Sequence, residues 1–267
     1  MNALGLCAGV AGIELGLRIA EPSIRPVCFV ESDPFAQRIL WERYGVPVWD
    51  ELKTFDPKPW IGVVELVTAG FPCQPFSSNG QRKRTSDHRW IWQWIAAILR
   101  KLRPRFVFLE NVPGVLSGGA GFVFRDLASL GFSAEWGVFS CRSLGAPHLR
   151  KRWLCLAHDP EQGWDLRMPQ DRESGIPSGG PVLAREGLLF WPPGPERRDL
   201  PPAFWPSESR LGRVAHGFPA GLDPSWRDSA NHALGNAVSP PVAAVAWRIL
   251  SSRLRAKEGP PCSVIQA

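Results

Sequence analysis

The chain has 267 residues, 44% of them hydrophobic and 21% charged, with a formal net charge of +6 and a pI near 9.3. That length can bury a full core in one large domain, and the balance excludes a disordered or fibrous chain. No apolar run approaches the roughly 20 residues of a membrane span, and Met1–Val10 lacks a signal-peptide layout, so a soluble, cytoplasmic protein is expected.

Elements are expected in alternation. Apolar, β-type runs fall at 26–30 (PVCFV), 63–69 (VVELVTA), 105–110 (RFVFLE), 136–141 (WGVFSC) and 152–157 (RWLCLA), and read as buried parallel strands. Between the second and third, Trp90, Ile91, Trp94, Ile95, Ile98, Leu99 and Leu102 recur at helical period, the stripe of a helix lying on a sheet. Strand, helix, strand in series implies right-handed crossovers and an α/β fold with a doubly wound, mostly parallel, Rossmann-like sheet.

Composition shifts after residue 157. Residues 158–209 hold 10 Pro and 6 Gly in 52 positions, as a loop-rich insert would. Helical pattern returns with Val242, Val245, Ala246, Ile249 and Leu250 behind a Pro240-Pro241 start, and a frayed tail is expected from Lys257. The expected organisation is therefore 1–157 catalytic, 158–209 small and separate, 210–256 returning to the first unit, and 257–267 tail.

The six cysteines are scattered, without a CxxC pair or histidines at zinc spacing, so reduced thiols and no metal are expected. Cys73 differs in its setting, GFPCQPFSSNG, directly after a strand-like run. Ligands of open α/β sheets bind beyond the carboxyl ends of strands. Three other loops there carry unusual residues: CAGVAGIELG (7–16), whose Gly9 and Gly12 admit an anionic group at a helix start; Glu31, placed to accept ribose hydroxyls; and Glu110-Asn111-Val112. A thiol and a carboxyl at neighbouring strand ends suggest a nucleophile and an acid, and Arg82, Lys83 and Arg84 follow the thiol closely. Taken singly, each feature also has a structural reading: inert burial for the thiol, a helix-start acid for Glu31, core packing for the helical stripe.

Together the residues resemble the S-adenosylmethionine-dependent DNA (cytosine-5)-methyltransferases, in motif order over 3–157 and 210–250. GFPCQPFS is similar to the family's nucleophile loop, ENVPGV to its acid motif, GAPHLRKRWLCLA to its Q-x-R-x-R segment, and RVAHGFPAGLD and ALGNAVSPPVA to its last two motifs. The resemblance implies that Cys73 attacks carbon 6 of a flipped-out cytosine while Glu110 hydrogen-bonds ring N3, making carbon 5 nucleophilic toward the methyl donor. Arg150 and Arg152 would face the cytosine and its phosphate. Cys7, Ala8, Gly9, Val10 and Gly12 would hold the cofactor's methionine part, Glu31 its ribose and Asp50 its adenine, with Ser32 also in the pocket. Pro72, Asn236 and Val238 would complete that pocket. Gln74, Ser77, Asn111 and Arg82 are expected on the nucleic acid, with Arg185, Arg197 and Arg198 of the insert reading bases.

The pattern departs from the family at named places. The usual Asp-Leu-Phe-x-Gly-x-Gly-Gly start is here Gly5 to Gly12, without its Asp and Phe; Ser32 replaces a stacking aromatic; His148 replaces a Gln. The insert, the expected target-recognition region, is short and acidic. Five arginines against nine carboxylates give −4, which leaves +10 for the rest of a chain at +6, so phosphate contacts are expected outside it. The implied partner is double-stranded DNA, handled by a monomer of prokaryotic or phage origin, and a companion restriction endonuclease would fit. Rival readings are a tRNA methyltransferase of the same family, a non-catalytic DNA-binding relative, and a nicotinamide oxidoreductase, which lacks GxGxxG here.

Overall fold

A computed structural model describes residues 1–72, 91–146, 148–164 and 237–258. Among the described residues seven strands form one sheet: β1 (Asn2–Leu6), β2 (Arg25–Val30), β3 (Val48–Trp49), β4 (Leu66–Gly70), β5 (Phe106–Asn111), β6 (Ser133–Ser140) and β7 (Lys151–His158), in the order β3-β2-β1-β4-β5-β7-β6. Pairing is parallel from β3 to β5, whereas β7 runs antiparallel to both β5 and β6. The sheet is Rossmann-like and mostly parallel. This is the mostly parallel sheet expected; only the reading of 152–157 as a parallel strand is corrected, because a ten-residue connection (141–150) turns the chain back from β6 without the crossover helix that a parallel return needs.

Side-chain alternation along the strands divides the core. Leu4, Leu6, Val67, Val107, Leu109 and Cys155 face one side, which α3 (Trp92–Leu102) and α4 (Ala120–Ser129) cover. Ala3, Leu66, Phe106, Phe108, Leu154 and Leu156 face the other, covered by α1 (Gly12–Ala20) and the last helix, α5 (Pro240–Glu258). Helix α2 (Pro34–Tyr44) starts at a proline behind Asp33, whose carboxylate accepts from Phe35 N at 2.9 Å.

Two helical stripes are rotated from their sequence reading. In α3 the buried tryptophan is Trp92, whose Nε1 donates to Asp126 Oδ2 at 2.9 Å, while Trp94 is 37% exposed. In α5 the face is set by Ala243, Trp247 and Leu254 alongside Val242, Ala246 and Leu250, and Ile249 is 38% exposed. Small alanines let α5 lie close to α1, and a large Trp247 fills the space between Phe106 and Phe108, so volume rather than hydrophobicity sets the phase. Helix α5 also continues through Lys257, which pairs with Glu135, so the frayed tail does not begin there. Trp90 lies outside the described residues.

Candidate active site

The strand order changes direction between β1 and β4, which opens a crevice at their carboxyl ends. The loop leaving β1 enters that crevice with left-handed backbone at Cys7 (φ 50°), Gly9 (φ 54°) and Ala11 (φ 62°). Ala11 is also the N-cap of α1 and offers no side-chain cap, and a helix start of this kind suits an anionic ligand. Glu31, just beyond β2, braces the loop: its Oε2 accepts from Gly9 N at 2.7 Å and its Oε1 from Asp33 N at 2.9 Å. Each oxygen keeps a lone pair, and a carboxylate held this way fits a pair of ribose hydroxyls. Asp50 and Ser32 are exposed on the same side of the sheet's end, beside β3 and β2.

The far wall comes from the C-terminal segment. A Cβ added to Gly12 would overlap the carbonyl oxygen of Val238, and one at Gly16 would overlap that of Pro240, so only glycine permits this approach. Val238 is 5% exposed and Val10 is likewise buried. Arg150 reaches across 87 positions to donate from Nη2 to Ala237 O at 2.5 Å, which fastens the segment to the start of β7. Loop amides, a braced carboxylate and a closing segment suit the amino-acid and nucleoside ends of S-adenosylmethionine.

Glu110 stands at the carboxyl end of β5, in register with Gly70 of β4. A Cβ built on Gly70 would lie 3.4 Å from Cys7 O and 3.5 Å from Glu110 Oε2, so the cofactor loop and the acid meet at one residue of β4. Because β7 is antiparallel, its first residues lie at this same end. Arg152 Nε is 2.8 Å from Glu110 Oε1. Burial pushes the Glu110 carboxyl up to about 7, although Arg152 and Arg150 pull the other way. A carboxyl that holds a proton near neutral pH can donate a hydrogen bond to a ring nitrogen.

Asn111, expected on the nucleic acid, braces neighbouring backbone in the structure. It is 1% exposed; its Nδ2 donates to Phe71 O at 3.3 Å and its Oδ1 accepts from Val112 N at 2.8 Å. It thereby fixes the backbone entering Pro72, which is half-buried. His148 is also half-buried and Arg142 is exposed. Cys73, Gln74, Ser77, Arg82, Arg185, Arg197, Arg198 and Asn236 lie outside the described residues. Sequence reasoning missed Glu14, Thr68 and the Arg150–Ala237 bond; an acid in the apolar phase of α1 was the available signal for the first.

The model of the family described as C-5 cytosine-specific DNA methylase matches residues 1–179. Similar proteins include the type II methyltransferases M.CviJI of Paramecium bursaria Chlorella virus IL3A and M.BsuFI of Bacillus subtilis. Each is 32% identical, over 60% of this chain and 44% and 40% of the relative. M.NaeI of Lentzea aerocolonigenes is 26% identical over 90% of this chain and 60% of its own length. The chain thus spans between two fifths and three fifths of these relatives. Among solved structures, the Entamoeba histolytica methyltransferase EhMeth shares the fold over 96% of this chain and 99% of its own (TM-score 0.66, 15% identity). The S. pombe Dnmt2 methyltransferase shares it over 59% of this chain and 50% of its own (TM-score 0.51, 24% identity). With two thirds of its length under the family model, the chain belongs to the C-5 cytosine-specific DNA methylase family.

Proposed function

We propose that this chain transfers a methyl group to carbon 5 of cytosine in a nucleic acid, with Cys73 as the covalent nucleophile and Glu110 as the acid at N3. The observation that carries the reading is the register of Gly70 with Glu110, which sets the acid beside the end of β4, the strand that Cys73 follows closely in sequence. Family membership makes S-adenosylmethionine the cofactor, and it supplies the electrophilic methyl. Aromatic cytosine is a poor nucleophile at carbon 5. Addition of the Cys73 thiolate to carbon 6, with a proton held at N3 by Glu110, converts the ring to an enamine and removes that obstacle. Loss of the carbon 5 proton and expulsion of Cys73 then restore the ring. Arg152 orients Glu110, and Arg150 holds the segment that closes the cofactor pocket.

Duplex DNA is the substrate that the similarity to type II methyltransferases supports. It requires base flipping at a cost of a few kcal/mol, drawn from phosphate contacts outside the acidic insert, while Arg185, Arg197 and Arg198 read bases. A tRNA loop is the second substrate, favoured by the 52-residue length of 158–209, a small footprint for reading a duplex. Salt-matched assays with labelled cofactor on duplex DNA and on tRNA decide between them. Expression in a methylation-free host, followed by base-resolution sequencing of DNA and RNA, tests the reaction itself. New 5-methylcytosine is expected from the wild type and none from Cys73→Ser; no methylation in either nucleic acid would overturn the proposal.

A further inference from the structure

Helix α1 begins where the cofactor loop ends, and it carries a carboxyl on its buried side. Glu14 is 1% exposed, next to Ile13 and one turn from Leu17, both core residues. Burying an acid there is costly, and core packing alone would favour leucine. Its Oε1 accepts from Thr68 Oγ1 at 2.5 Å, and Thr68 is fully buried in β4. Its Oε2, also buried, has no hydrogen-bond partner among the described residues. Burial pushes the carboxyl up to about 7 despite the Thr68 bond.

The neighbouring strand makes room for this arrangement. A Cβ on Gly5 of β1 would lie 2.6 Å from Glu14 Oε1, so the carboxyl fills the volume that any side chain at position 5 would take. Gly5 is the position at which the motif that this loop resembles has its Asp. The acid absent from the strand thus enters the same space from the helix. Loop 7–12 is then held by two carboxyl groups, at its middle through Gly9 N to Glu31 and at its helix end through α1 to Glu14.

We propose that Glu14 is a positioning residue for the cofactor, which, clamped to β4 through Thr68, sets the angle between the loop and α1 and so the aim of the amides at the helix start. The inference rests on the cofactor assignment above. Its test is calorimetric titration of S-adenosylhomocysteine, the demethylated cofactor, into the full-length wild type, Glu14→Gln and Glu14→Leu, with melting curves of each without ligand. The Gln variant keeps an oxygen for Thr68 and is expected within about threefold of wild type; the Leu variant is expected to lose about tenfold or more, as misplaced binding groups do. Because Leu also removes an unpaired buried oxygen, its ligand-free melting temperature should not fall. At saturating cofactor its kcat should be retained while the KM for S-adenosylmethionine rises. Wild-type affinity in the Leu variant, or an affinity loss matched by a loss of ligand-free stability, would overturn the proposal. Should Leu fail to fold, Thr68→Val removes the clamping hydroxyl, which also lies 3.4 Å from Leu4 O; an affinity loss without a matching loss of ligand-free stability supports the proposal, and unchanged affinity, or a loss matched in stability, overturns it. Failure of the wild type itself to bind would instead refute the cofactor assignment.

Discussion

Glu110→Gln separates two opposing effects on one carboxyl. Burial raises the Glu110 pKa from 4.5 to about 7, and the ion pair with Arg152 at 2.8 Å would by itself lower it. A folded-state value above the unfolded one means that the folded protein holds the proton more tightly. The stabilisation is then complete below pH 4.5 and is lost as pH rises through 7. Between pH 5 and pH 8 the group's linkage amounts to about 2.5 kcal/mol, a figure of order-of-magnitude accuracy. Denaturant unfolding of wild type and Glu110→Gln at those two pH values measures it, since the shift at Glu14 is common to both proteins and cancels. The stability difference, wild type minus variant, should be larger at pH 5 than at pH 8 by about that amount. A difference constant to within about 0.5 kcal/mol would refute the reasoning, and one of opposite sign would show that the ion pair outweighs desolvation. In the same variant methyl transfer should fall by about a hundredfold or more, because the neutral amide can donate to N3 but cannot transfer a proton.

Gly12→Ala should cost about 1–3 kcal/mol in urea unfolding and weaken cofactor binding, because its methyl meets the Val238 carbonyl. Replacing Glu31 by alanine removes the brace on Gly9 N and the expected ribose acceptor; S-adenosylhomocysteine affinity should drop by about tenfold or more in calorimetry. Arg150→Lys keeps charge but not the reach and fork geometry that serve Ala237 O, so the KM for the cofactor should rise several-fold in steady-state assays.

The sequence by itself determined the layers and the chemistry's inventory. Unbroken apolar runs such as Phe106–Leu109 and the stripe from Ile95 to Leu102 show which surfaces are apolar, because burial of those surfaces is what makes them strands and helices. It also placed Glu31 and Glu110 at strand ends, since each follows an apolar run directly. Helix phase was less legible where a large residue and small ones compete, as with Trp92 against Trp94, because packing volume is settled only by the partner surface. The direction of β7 was decided by tertiary structure alone. Its composition is that of any buried strand, yet only an antiparallel run sets Arg152 at the end of the sheet where Glu110 lies. The same holds for Glu14 and Gly5, nine positions apart in sequence. An absent side chain on one element and a buried carboxyl on another become one feature only when helix and strand are pressed together.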